Sequence, residues 1–293
     1  MNKISRILLP VDFSERCLGM VQYARAIAEK YDAEITLLHV INPVFVAPEI
    51  GMAPLAVVNT PTWLINEKSK RIDEFASSEL AGLRVRRLVY EGIPEAQIAE
   101  LAASDDVQLV IMPTHGYGVL RRFLIGSVTA KVLDDLTCPV LTGAHMEKHA
   151  SDLAEEFPTI ACAVDLQAKS AATLRSAAQF ASDFGSKLGV VYARPQQARG
   201  NIVNDADLQP QLEELVAGEL ARDNLRFEPG WLSSCVQSGD IAQTVCGFAE
   251  SIGAKLLVIG RDHGDEEGVK NGGRLWTHTY SIIRQSQCPV LSL

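Results

Sequence analysis

Residues 6–43 read RILLPVDFSERCLGMVQYARAIAEKYDAEITLLHVINP, and their organisation decides the fold. A short apolar run ends in Val11-Asp12, a stretch with apolar residues three and four apart follows, and a second apolar run closes the segment. That is the pattern of strand, amphipathic helix and strand. Residues 159–195, TIACAVDLQAKSAATLRSAAQFASDFGSKLGVVYARP, repeat it, including a Val164-Asp165 pair. Further on, VQLVIMPTHG (107–116) has a partner in AKLLVIGRDHG (254–264), with His115 opposite His263, and TCPVLTG (137–143) has one in QCPVLSL (287–293). One module occurs twice.

Within each copy the elements run strand, helix, strand, long helical stretch, strand, helix, strand, helix, strand. Near-continuous apolar runs such as ILLPV, ITLLHVI and LVIM suit strands covered on both faces, and their alternation with helices implies right-handed crossovers and a parallel sheet. The expected fold is α/β: two doubly wound parallel-sheet domains in tandem, over residues 1–146 and 157–293. The charged stretch HMEKHASDLAEEFP (145–158), ending at Pro158, marks the boundary.

Bulk properties exclude several classes of function. The chain has 293 residues, 47% of them hydrophobic, and a net charge of −9. Residues 1–148 hold 15 Lys/Arg against 18 Asp/Glu, and residues 149–293 hold 12 against 18. Neither half carries the basic stripe that a phosphate backbone requires, so nucleic acid is not an expected partner. The N-terminus has only a four-residue apolar run before Asp12, shorter than a signal-peptide core. The weakly charged segment 42–65 contains four prolines and Glu49, unlike a membrane-spanning helix. A cytoplasmic protein without membrane contact is expected. Its six cysteines include no C-x-x-C pair, as for buried thiols in a reducing compartment.

Ligands of open parallel sheets sit beyond the carboxyl ends of the strands where strand order reverses. In the first copy those ends present Asp12, Val40 and residues 112–118. A carboxylate at Asp12 accepts from an exocyclic amine, and the peptide groups around Val40 suit a flat base edge. Gly116 allows backbone N–H groups close to an anion, Gly126-Ser127 adds helix-terminal donors and a hydroxyl, and Arg121 and Arg122 lie between. The same glycines serve equally well as a turn and a close-packing position.

The set ILLPVDFSE, ITLLHVI, VIMPTHGYGVLRRFLIGSVTAKVL and TCPVL resembles the universal stress protein family, in its tandem form and over essentially the whole chain. The ATP-binding branch of that family carries Gly, two residues, Gly, nine residues, Gly, then Ser or Thr. The first copy matches at Gly116, Gly126 and Ser127, with Pro113 in the first place, where it removes one N–H donor and fixes φ near −65°. The resemblance implies that Pro10, Asp12 and Val40 line an adenine pocket, Met112 the ribose, and Gly116, Gly126, Ser127 and Val128 the phosphates. It implies ATP as ligand in the first domain only, with Mg allowed as its counter-ion. It also implies pairing of the two domains through their final strands.

The second copy departs further. Counted back from Cys288 against Cys138, Trp276 replaces Gly126 and Thr277 replaces Ser127, with two extra residues before them. Asp265, Glu266 and Glu267 stand in the preceding loop and would repel a polyphosphate. Asp165 keeps the place of Asp12, so a pocket is expected there as shape alone.

No catalytic or metal site is expected. His145 and His149 lack a third ligand nearby, and nothing places a base against Ser14 or Ser127. Weak ATP hydrolysis is the most the sequence allows. The functional expectation is a stress-response protein binding adenine nucleotide through domain one, against two alternatives: a scaffold acting through protein contacts, and a slow ATPase switch. Residues 42–65 are expected to form an apolar loop serving contact with another chain or closing over the pocket.

Overall fold

The computed structural model describes residues 3–46, 56–58, 60–114, 125–143, 157–195, 204–261 and 275–293. The chain divides into two compact units. One is built from Lys3–Leu120 with Gly126–Cys138, the other chiefly from Pro139–Leu293.

The N-terminal unit contains β1 (Arg6–Pro10), α1 (Glu15–Tyr31), β2 (Glu34–Ile41), β3 (Val44–Val46), β4 (Ala56–Val58), α2 (Thr62–Glu74), β5 (Val85–Glu91), α3 (Pro94–Ser104), β6 (Leu109–Ile111) and α4 (Ser127–Asp135). Its main sheet has the order β6-β1-β2-β5, and every pairing in it is parallel. Ile7, Leu8 and Leu9 of β1 are buried, as a strand covered on both faces must be. Helix α1 buries Cys17, Met20, Val21, Ala24, Ile27 and Ala28, the three-and-four spacing of an amphipathic face. It stops at Asp32, whose left-handed φ of 53° lets the N–H of the following Ala33 reach back to the Ala28 carbonyl at 3.0 Å. Helix α3 opens on Pro94, where the missing N–H removes no helical bond.

The C-terminal unit contains β7 (Val140–Thr142), β8 (Thr159–Val164), α5 (Ala168–Phe184), β9 (Lys187–Arg194), α6 (Asp205–Arg222), β10 (Leu232–Ser238), α7 (Ile241–Ser251), β11 (Leu256–Ile259), α8 (Leu275–Gln285) and β12 (Val290–Ser292). Its strands run in the order β10-β9-β8-β11-β12-β7. All are parallel except β7, which pairs antiparallel with β12 through Val140↔Ser292, Leu141↔Leu291 and Thr142↔Val290. The Ser292 hydroxyl also donates to the Val140 carbonyl at 3.1 Å.

The element order expected for each copy of the repeat holds along the chain, although β7, the last strand of the first copy, belongs to the C-terminal unit. The stretch 42–65 is not a loop throughout: VFV and AVV pair antiparallel as a two-stranded ribbon, Val44 opposite Val58, and α2 begins at Thr62. Valine-rich triplets favour extended backbone, and apolarity without alternation concealed them as strands. The equivalent polar stretch, 196–215, becomes α6 from Asp205 onward, opened by reciprocal hydrogen bonds between Asn204 and Asp207.

One glycine sets the packing of the C-terminal unit. A Cβ on Gly189 of β9 would lie 2.5 Å from Ile252 Cδ1 and 3.1 Å from the Phe248 ring of α7. The register places Thr36 at this position in the N-terminal unit. Gly189→Thr, which copies that residue, is therefore expected to push α7 off the sheet. The cost should be about 1–3 kcal/mol, measured by urea denaturation.

Candidate functional site

Strand β1 lies between β2 and β6, so the strand order reverses there and a crevice opens beyond the carboxyl ends of all three. A cavity of about 390 Å³ occupies it. Its walls come from the end of β1 (Pro10, Val11, Asp12), the end of β2 (Leu38, His39, Val40, Asn42), residues Met112 and Pro113 after β6, and the opening turns of α1, α3 and α4. Of the residues expected at a site, Pro10, Asp12, Val40, Met112 and Val128 line this cavity. Gly126 and Ser127 precede Val128 at the start of α4 and are not on its wall. Gly116, Arg121 and Arg122 lie outside the described residues.

The geometry follows from where β1 ends. The Val11 N–H donates to the Leu38 carbonyl at 2.8 Å, and beyond it β1 no longer accompanies β2. Successive peptides of β2 face alternate sides: Leu38 bonds toward β1, whereas the Ile41 carbonyl accepts from Gly92 on the β5 side. The N–H and carbonyl of Val40 therefore face the β1 side, past the last residue of β1. Asp12 Oδ1 accepts from the Ser14 N–H at 2.9 Å and from the Cys17 thiol at 3.0 Å. Between them Phe13 adopts a φ of 64° while only 9% exposed. For a residue with a Cβ this left-handed conformation costs about 1–2 kcal/mol.

Two groups on the wall, His39 and Cys17, are not marked out by the sequence patterns. His39 Nδ1 donates to the Val11 carbonyl at 2.8 Å, and its ring lies 4.4 Å from that of Phe13. Burial, reinforced by the Lys68 and Arg71 charges, pushes the His39 pKa below its usual 6.5, against the opposing pulls of its hydrogen bond to Val11 and of Asp12. Cys17 is 2% exposed, and burial with the adjacent Asp12 charge pushes its thiol up to about 12. It is a protonated donor to Asp12, not a nucleophile. Pro113, in the first place of the glycine motif, accepts from the Thr129 hydroxyl at 2.9 Å. His39 was available to the rule that ligands meet strand ends, since it precedes Val40; Cys17 required the turn after Asp12.

At the start of α4 the Gly126 N–H is committed to the Thr114 carbonyl at 2.7 Å. The first helical bond is Ala130 N–H to Gly126 O, so Ser127, Val128 and Thr129 supply the N–H groups without an acceptor inside the helix. Among the described residues no group of three or more His, Cys, Asp or Glu side chains is placed to hold a metal ion. No helix among them is long and apolar enough to cross a membrane.

The C-terminal unit has a cavity of about 210 Å³ at the corresponding place, with Asp165, Ala193, Ile259, Gly260, His278 and Thr279 on its wall. Asp165 Oδ1 accepts from the Ser170 hydroxyl at 2.5 Å and the Gln167 N–H at 3.1 Å, so a hydroxyl replaces the thiol of the N-terminal brace. Strand register corrects one equivalence. Leu109 lies opposite Ile7, and Leu256 opposite Ile160, which places Gly260 rather than Arg261 at the position of Pro113. His263 is thus one residue out of step with His115. The C-terminal unit thus has a glycine, Gly260, where the N-terminal unit has Pro113. Trp276 lies within helix α8, whereas Gly126 caps α4.

The profile of the universal stress protein family matches residues 3–142 and again 156–293. The chain belongs to the universal stress protein family and carries two copies of its domain in tandem. Two universal stress proteins of Methanocaldococcus jannaschii are similar to it. One is 30% identical over 144 residues, covering 48% of this chain and 82% of the relative. The other is 32% identical over 149 residues, covering 46% and 92%. A crystal structure of a universal stress protein from Archaeoglobus fulgidus covers 99% of this chain and 96% of its own, with a TM-score of 0.68 and 21% identity, a likeness of fold.

Burial of His39 has a measurable consequence. Its imidazole should titrate with a midpoint below 6.5, read by NMR. Because the folded chain resists this protonation, His39's contribution is constant above about pH 6.5. It is lost as the pH falls from there through the folded midpoint. A midpoint at or above 6.5 would contradict the buried, Val11-bonded ring.

Proposed function

We propose that the N-terminal domain, residues 1–146, binds an adenine nucleotide, ATP being the form its glycine motif favours, and that the C-terminal domain, residues 157–293, does not. The observation that carries this reading is the cavity at the reversal of strand order, which gathers Pro10, Asp12, Val40, Met112 and Val128 from four separate segments. The fit is best for the base. Pro10, Met112 and Val128 offer apolar surface to its faces, the Val40 peptide presents a donor and an acceptor to its edge, and Asp12 accepts from an amine or hydroxyl. The N–H groups opening α4 suit the phosphates. Mg enters with those phosphates as their counter-ion. The protein acts in the cytoplasm as a stress-response nucleotide binder, with ATP hydrolysis weak at most.

Two features of the C-terminal unit support the asymmetry: its cavity is about 210 Å³ against about 390 Å³, and His278 stands where the N-terminal wall has Val128. Pairing of the two domains through their last strands is part of the proposal, and the antiparallel register of β7 on β12 supports it. A second reading, a scaffold acting through protein contacts, is favoured by Trp63, 66% exposed at the start of α2 just after the apolar ribbon. In that reading residues 42–65 join a second copy of the chain.

Isothermal titration with ATP is expected to give one site per chain. Gly126 has a φ of −63° and ψ of 152°, which any residue adopts, so Gly126→Trp tests space near the phosphates rather than backbone freedom. This variant should weaken ATP at least tenfold. Two equivalent sites, or undiminished binding by Gly126→Trp, would refute the asymmetry or the phosphate position respectively. Mass spectrometry of nucleotide released on denaturation identifies the ligand independently.

A further inference from the structure

Arg71 lies in the last turn of α2, with its guanidinium carbon 4.5 Å from the centroid of the Phe13 ring. Helix spacing offers it another partner. Glu67 is four residues earlier, the arrangement in which an acidic and a basic residue pair best. Glu67 instead meets Lys68 at 3.2 Å, and among the described residues no carboxylate lies within 4.0 Å of Arg71. The cation is directed at the ring. His39 flanks the same ring at 4.4 Å, and Phe75, which ends α2, meets it edge-on at 5.8 Å. Phe13 is thus held from α2 and β2 together, in a left-handed conformation it would not adopt alone.

The C-terminal unit lacks this arrangement. Register puts Leu166 at the place of Phe13 and Tyr192 at that of His39. Leu166 is not among the residues of positive φ, and the cavity beside it is the smaller of the two.

We propose that Arg71 is a positioning residue for the N-terminal cavity: by clamping Phe13 it holds the turn that presents Asp12 and keeps His39 against the cavity wall. The ligand's identity rests on the nucleotide reading above; the clamp itself does not.

The test uses the whole chain with Arg71→Met, Arg71→Lys, Phe13→Leu and the Phe13→Leu/Arg71→Met double variant. Without ligand, the reaction of Cys17 with a disulfide reagent at pH 8 is followed by mass spectrometry of the labelled peptide, alongside the urea midpoint. Arg71→Met should speed labelling of Cys17 roughly three- to tenfold with Cys162 labelling unchanged, and Arg71→Lys should restore most of the protection. In the Phe13→Leu background Arg71→Met should add less than twofold. With ATP, the affinity of Arg71→Met should fall by a similar factor. Cys17 protection equal to wild type in Arg71→Met overturns the clamp, as do equal effects of that substitution with and without Phe13. Absence of ATP binding by the wild-type chain overturns the nucleotide reading alone, since the thiol measurement still decides the clamp.

Discussion

The N-terminal site depends on the point at which β1 leaves the sheet. The Val11 N–H makes the last hydrogen bond to β2, at Leu38, and the next three residues must turn the chain into α1. They do so with Asp12 accepting from Ser14 and Cys17, and with Phe13 forced to positive φ. Because β1 is flanked by β2 and β6, ending it here leaves the peptide of Val40 and residues Met112 and Pro113 around one opening. Ending it two residues later would extend the ladder past Val40 and close the opening with backbone.

The two units show how one architecture carries different chemistry. Both end their first strand in Val-Asp, both brace the aspartate with the residue five further on, and both leave a cavity at the same reversal of strand order. The differences are local. Thiol becomes hydroxyl, Phe13 with His39 becomes Leu166 with Tyr192, and Pro113 becomes Gly260. None of these exchanges disturbs the sheet, whose register depends on buried apolar strands rather than on the turns beyond them.

Much of this was legible before any coordinates. The repeat, the element order and the strand ends bearing Asp12, Val40 and Met112 follow from apolar periodicity and from the rule that ligands meet strand ends. What escaped has identifiable causes. The strands β3 and β4 and the start of α2 lie in a run whose continuous apolarity has no period to read. The equivalence of His115 with His263 came from matching His-Gly pairs, and a single inserted residue misled it where strand register did not. The commitment of the Gly126 N–H to Thr114 joins residues twelve apart in the chain, beyond any spacing rule.

The sequence by itself determined that two parallel α/β units stand in tandem, because burial on both faces of a strand and on one face of a helix leaves a periodic imprint on residue choice. It also determined which strand ends could meet a ligand. Only the tertiary structure decided that Arg71, fifty-eight residues from Phe13, is stacked on it, that His39 is turned back onto Val11, and that the Cys17 thiol is spent on Asp12. Such contacts join side chains from different elements at distances set by packing. No one-dimensional period records them, and the choice of an arginine's partner between a helix neighbour and a distant ring is made only when both are in place.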